Sequence, residues 1–177
     1  IADILAAHDP AELGEGHHDE FSYRVMGRVT GERGHGKTAF LDVRDITGTI
    51  QAYARRDELG EEAFARIEDL DVGDLVGVEG VLHVTKRGQL AIAVRELTLL
   101  AKALKDPPDL FHGISDPETR YRQRELDLMA NERSREIFKL RSKLTWEMRN
   151  YLNSRGWVEL ETPVLQRLTG GAAARPF

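Results

Sequence analysis

The sequence contains no cysteine, which excludes disulfides, thiolate zinc sites and cysteine nucleophiles. A reducing cytoplasm is compatible with that absence. No apolar run approaches the ~18 residues that a membrane span requires, so no membrane partner is expected. The opening residues, Ile1 to Ala7, are too few and lack the basic flank of a secretory signal. The first residue is not Met, so a processed, trimmed or excised chain is expected. Nor is there an excess of positive charge. The net charge of −5 argues against a strong non-specific nucleic-acid binder.

What charge there is lies unevenly. Residues 1–20 hold six acids and no Lys or Arg, residues 21–101 hold 11 basic and 13 acidic residues, and residues 102–177 hold 14 basic and 11 acidic. A phosphate-bearing partner would need local placement of cations, not bulk charge.

Residues 1–20 contain Pro10, Gly14 and Gly16 and end in an acidic, His-bearing stretch; they read as a leader or the remnant of a lost domain. From residue 21 apolar and polar residues alternate, as in strands. Val25, Gly27 and Val29 share one face and Arg24, Met26 and Arg28 the other. Gly31 to Gly36 reads as a turn. Leu41 and Val43 then oppose Phe40, Asp42 and Arg44, and Ile50 to Ala54 make a third strand. Over residues 57–70 the period changes, placing Leu59, Ala63, Phe64, Ile67 and Leu70 on one helical face. Leu75 to Thr85 and Leu90 to Leu100 are two further strands. The order β-β-β-α-β-β is that of an OB barrel, which binds oligonucleotides on its strand 2–3 face.

The chain therefore divides into a mainly β OB barrel over residues 21–104, a linker over 105–117, and a second part over 118–177. In that part Asp116-Pro117 supplies an N-cap and an N1 proline for a short helix. A long helix runs from about Glu132 to Arg155, with Gly156 where a C′ glycine belongs. Trp157 to Thr162 alternates like a strand, and Pro163 ends it. One strand without sheet neighbours leaves its backbone unsatisfied, so this part is expected to be incomplete.

Gly31-Glu32-Arg33-Gly34-His35-Gly36-Lys37-Thr38 matches the phosphate-cradling G-x-x-x-x-G-K-[ST] pattern. That motif requires a helix directly after the lysine. Here Ala39 to Val43 has a strand pattern, so a glycine-rich hairpin is the better reading. His17, His18, His35, His83 and His112 show no metal-ligand spacing.

Phe40 lies on the polar face of its strand, where an aromatic is a base-stacking candidate. Arg28 shares the polar face of strand 1, and Gln51 and Tyr53 that of strand 3. Together they offer a ring to stack a base and polar groups to read its edge, which is how single-stranded loops are recognised. The alternative is that Phe40 plugs a barrel end or a domain interface.

Several runs of residues resemble a known family. Val25-Met26-Gly27-Arg28, Gly36-Lys37-Thr38-Ala39-Phe40 and Ile50-Gln51-Ala52-Tyr53 are similar to the anticodon-binding domain of class IIb aminoacyl-tRNA synthetases. Phe111-His112-Gly113 with Arg120 to Leu128, and Gly170 to Phe177, point within that group to the lysine–tRNA ligases. Glu125 departs from the family, which usually has Tyr there. The resemblance implies that Phe40 stacks on the central anticodon base, a uridine, that Arg28 and Gln51 read it, and that Glu96 also contacts the anticodon. Plain alternation places Glu96 with Ile92 and Val94. The stretch from about Arg135 to Pro163 is similar to class II motif 1, so Ile137, Leu140, Leu144, Met148 and Pro163 would form a homodimer interface. Gly171 matches a position that contacts the substrate lysine.

The resemblance further implies the start of an α+β class II catalytic domain without motifs 2 and 3. The complete enzyme would use ATP and Mg²⁺ to attach lysine to tRNA(Lys). This chain would contribute anticodon stem-loop binding and the dimer surface. It is expected to bind no cofactor and to be inactive alone. Two other readings remain: a free-standing OB module for single-stranded nucleic acid, and the synthetase-like part of a lysyl-phosphatidylglycerol synthase.

Overall fold

The computed structural model describes residues 1–164, the His35 side chain apart. The backbone divides into two compact units, Ile1–Ala130 and Asn131–Phe177.

The first unit opens with two short helices, α1 (Ala2–Ala7) and α2 (Pro10–Leu13). Strand β1 (Gly16–His35) follows, then β2 (Thr38–Arg44) and β3 (Thr49–Arg55). Helices α3 (Arg56–Leu59) and α4 (Glu61–Glu68) lead to β4 (Leu75–Val84) and β5 (Leu90–Ala101). The five strands close into a barrel in the order β1-β2-β3-β5-β4, and β4 pairs back onto β1. All neighbours are antiparallel except the parallel pair β3–β5. Along the chain the elements follow the expected β-β-β-α-β-β order, with the helical insert between the third and fourth strands.

Alternation builds the core. Val29, Leu41, Val43, Ile50, Val76, Leu82 and Ile92 point inward and are essentially sealed from solvent, and Phe64 and Ile67 of α4 belong to the same core cluster. The expected single helix over 57–70 is split at Gly60, whose φ is +81°.

The first 20 residues, read from sequence as a leader, are built into this unit. Ile4 is buried in the core, the Ala2 N–H donates to the Thr47 hydroxyl at 3.0 Å, and β1 already pairs with β4 at Gly16. One apolar face on a six-residue helix was too short a signal to reveal this docking.

The turn expected over Gly31–Gly36 is also smaller. The ladder between β1 and β2 continues to His35 opposite Thr38, leaving a two-residue loop of Gly36 and Lys37. Gly36 has φ +60° and Lys37 does not have a positive φ, which is the pattern of a type II′ hairpin. Residues after Lys37 form a strand, so the phosphate-loop match is excluded.

A bulge re-phases β5. Glu79 pairs with Glu96 but Gly80 pairs with Val94, leaving Arg95 as the extra residue. A Cβ on Gly80 would lie 2.0 Å from the Ala93 carbonyl oxygen, so only glycine permits this close approach.

Beyond the barrel, α5 (Pro117–Arg122) and α6 (Arg124–Ala130) complete the unit. Asp116 caps α5 by accepting from the Thr119 N–H, and Pro117 stands at the helix start as expected. The buried Asp127 carboxylate accepts from Arg120 Nε at 2.8 Å and Arg124 Nη1 at 2.5 Å. Arg44 of β2 donates to the Met129 carbonyl at 2.8 Å, tying α6 to the barrel.

The second unit contains α7 (Glu132–Ser154). Its end carries a Schellman pattern: Gly156 N–H bonds the Asn153 carbonyl and Trp157 N–H bonds the Leu152 carbonyl. The strand expected over Trp157–Thr162 is not formed. Among the described residues no strand lies beside it, so its backbone has no ladder to join. Arg149 of α7 pairs with Glu159 in this segment at 3.0 Å. Among the described residues, no helix is long and apolar enough to cross a membrane.

Candidate nucleic-acid interface

Strand registers define two rows of residues across the outside of the barrel. One runs Arg33, Phe40, Tyr53, Ala93 and Val81; the other runs Gly31, Asp42, Gln51, Ala91, His83 and His17. Phe40 points outward, as its strand phase requires, and is half-buried.

Polar groups gather beside the ring. Arg33 Nη2 donates to both Asp42 carboxylate oxygens, at 2.7 and 2.9 Å. Gln51 Nε2 donates to Asp42 Oδ1 at 3.4 Å. Asp42 thus holds an arginine and an amide next to an aromatic face. Because Arg33 is largely exposed, this ion pair is weak, and the guanidinium can turn to a ligand at small cost. A ring for stacking with charged and amide donors for a base edge is the equipment of single-strand recognition.

Of the residues expected from sequence, the structure brings Phe40 and Gln51 together. Arg28 lies elsewhere on the barrel. It pairs in register with Arg44, four residues from Phe40 along β2, a separation of about 13 Å at strand rise. Its Nη1 donates to the Gly73 carbonyl at 2.7 Å. Arg33 is the arginine opposite Phe40. Sequence reasoning missed it because it assigned residues 31–36 to a turn, whereas the ladder extends through them.

Glu96 is exposed, not inside with Ile92 and Val94. The Arg95 bulge inverts the phase beyond Val94, turning Leu97 toward the core and Glu96 outward. It stands on the rim of a groove lined by Ile67, Leu70, Leu97 and Lys102, three residues past Ala93, the β5 partner of Tyr53.

On α7, Ile137, Leu140, Leu144 and Met148 form the expected stripe and all are exposed. Pro163 is exposed as well. Gly171 lies outside the described residues. Among those residues, no group of three or more His, Asp or Glu side chains is placed to hold a metal ion.

The comparisons with known proteins fall on these same two regions. Residues 23–100 match the family model of an OB-fold nucleic acid binding domain, and residues 116–177 match that of class II tRNA synthetases (D, K and N). The lysine–tRNA ligase of Staphylococcus saprophyticus is 50% identical over 159 residues, 90% of this chain and 32% of that protein. The enzyme of Staphylococcus haemolyticus is 50% identical over 160 residues, again 90% and 32%. That of Staphylococcus aureus is 50% identical over 153 residues, 86% and 31%. The chain belongs to the lysine–tRNA ligase family. It spans about a third of the length of these relatives, and both family signatures lie within it.

Within that family the Arg120–Leu128 signature acquires a structural meaning. Asp127 staples α5 to α6 through Arg120 and Arg124. The departure at Glu125 falls on an exposed position of α6, where it disturbs no buried packing.

Proposed function

We propose that this chain is the anticodon-reading part of a lysine–tRNA ligase, joined to the start of its catalytic domain. A splayed uridine at the centre of the anticodon would stack on Phe40, with Gln51 and Arg33 reading its edge. Arg33 takes the role first assigned to Arg28, because it stands opposite the ring while Arg28 is engaged by Gly73. Lys86 and Arg87 in the β4–β5 turn have no acidic partner within 4 Å among the described residues and could take flanking phosphates. The observation that carries the reading is the outward Phe40 flanked by two donors that share Asp42.

For the whole protein we infer activation of lysine with ATP and Mg²⁺, transfer to tRNA(Lys), and a homodimer in the cytoplasm. The exposed stripe Ile137, Leu140, Leu144 and Met148 would supply part of the dimer surface. Glu96 is retained as an outlying anticodon contact and Gly171 as a lysine contact.

Binding to a tRNA anticodon stem-loop carrying UUU or CUU tests the reading. Phe40→Ala should weaken it by about 1–3 kcal/mol, the usual stacking contribution. Arg33→Ala should reduce discrimination against a cytidine at the central position, while Arg28→Ala should not. Unchanged binding by Phe40→Ala would overturn the assignment.

A further inference from the structure

Phe40 is one end of a column of rings. Its centroid lies 5.0 Å from that of Tyr53, with the planes 27° apart. Tyr53 lies 4.8 Å from His83 at 15°, and His83 lies 4.6 Å from His17 at 43°. The Phe40–Tyr53 and Tyr53–His83 planes are close to parallel, so these two pairs are offset stacks, because rings side by side in one plane would sit farther apart; His17 is tilted against His83. Tyr53 therefore covers one face of Phe40, and Arg33 is the cross-strand neighbour on the other side of the half-buried ring.

The column has a built seat. Ala91 and Ala93 alternate with the inward Ile92, so both face outward, yet both are buried. They lie in register with His83 and Tyr53, the rings that cross β5 at this level. Small side chains on the central strand leave room for these rings above them.

The far end is titratable. His83 is half-buried, and its Nδ1 is buried with no hydrogen-bond partner. The groups facing it are His17, His18 and the Gly16 backbone on β1, Glu58 on α3, and Tyr53 on β3. His17 Nε2 is 3.9 Å from Glu58 Oε1, and Arg55 of β3 in turn bonds Glu58. Burial, then the neighbouring His17, holds the His83 pKa below its ordinary value. Protonation would place an N–H at the buried Nδ1, which has no hydrogen-bond partner; the Gly16 backbone and Glu58 favour the imidazolium, but burial outweighs them. The attraction of an imidazolium for the Tyr53 face works the other way, but burial dominates.

We propose that Tyr53 and His83 are positioning residues for the base-binding ring. They hold Phe40 through a stacked column, so that protonating the imidazole at the far end weakens nucleotide capture at the near end. This rests on Phe40 being the stacking platform. The column predicts a binding domain whose affinity for a single-stranded loop falls on mild acidification, opposite to the gain that added positive charge would bring.

Two measurements on the full chain test it. The first is an NMR titration without RNA: the Phe40 and Tyr53 ring resonances should move with the His83 midpoint and stay fixed in His83→Phe. The second is binding of the UUU stem-loop at about pH 7.5 and about pH 5.5, which bracket histidine titration. Between the higher and the lower pH, His83→Phe should lose at least about fivefold less affinity than the parent loses. Tyr53→Leu should bind about tenfold weaker at both. Ring resonances that ignore the His83 titration, or parallel pH profiles for His83→Phe and the parent, would overturn the proposal. Loss of the platform reading itself shows separately, as normal binding by Phe40→Ala at the higher pH.

Discussion

Leu41 and Leu144 are the same residue in two amphipathic patterns, and the molecule treats them in opposite ways. Leu41 on β2 is 0% exposed, while Leu144 on α7 is 59% exposed. In the barrel, each strand's apolar face meets another strand's apolar face, and closure pairs every edge. On α7 the stripe is as regular, yet Ile137, Leu140 and Met148 stay open beside Leu144. A contiguous exposed apolar stripe marks an interaction surface. The contrast separates apolar residues that build a unit from those left exposed on its surface.

The widest test of that contrast is Leu41→Ala. It should cost the barrel about 2–5 kcal/mol, the usual range for a buried leucine in a closed core, read as a lower denaturant midpoint. Gly80→Ala comes next, at about 3 kcal/mol, because its Cβ would collide with the Ala93 carbonyl and the strand must shift. Asp74→Ala should cost about 2 kcal/mol. Its buried carboxylate accepts from the Asp71 and Ala103 N–H groups and from Lys102, and hydrogen bonds to a charged group are the stronger kind.

Acid should act on the barrel more gently. Burial pushes the Asp45 carboxyl up, but donation from the Thr47 hydroxyl and the Gly48 and Thr47 N–H groups outweighs it and pulls the pKa to about 2. Its folded value lies below the ordinary 3.8, so its stabilisation is present above that pH and is lost as pH falls toward 2. The urea midpoint should fall over that interval, and Asp45→Asn should lack part of the fall. His83 adds an earlier decline. Its depressed folded pKa means stability starts to erode as pH drops below the ordinary 6.5.

The smallest effect should be Leu144→Ala, under about 0.5 kcal/mol of stability for an exposed site. A cost in the range of Leu41→Ala would erase the contrast. Leu144→Asp should leave folding unchanged and reduce any self-association seen by sedimentation.

Much of the barrel was legible in the chain. Val25, Leu41, Val43 and Ile50 were assigned inward by alternation, and all four are buried. Phe40 and Gln51 were assigned to one polar face, and β2 and β3 put them there. Misreadings arose where register departs from plain alternation. Glu96 was placed inside because a bulge at Arg95 leaves no mark on period-two counting. Arg33 was lost in a supposed turn because glycines at 31, 34 and 36 look alike, although only Gly36 turns the chain.

The sequence by itself determined the order of elements along the barrel chain, the inward residues where alternation is unbroken, the helix caps at Asp116 and Gly156, and the family. These depend on neighbours a few residues apart, whose periodicity and turn chemistry are written locally. Only the tertiary structure decided which arginine stands beside Phe40, which way Glu96 faces, and that Phe40, Tyr53, His83 and His17 form one column. Those facts depend on cross-strand register, and register is set by the closure of the whole barrel.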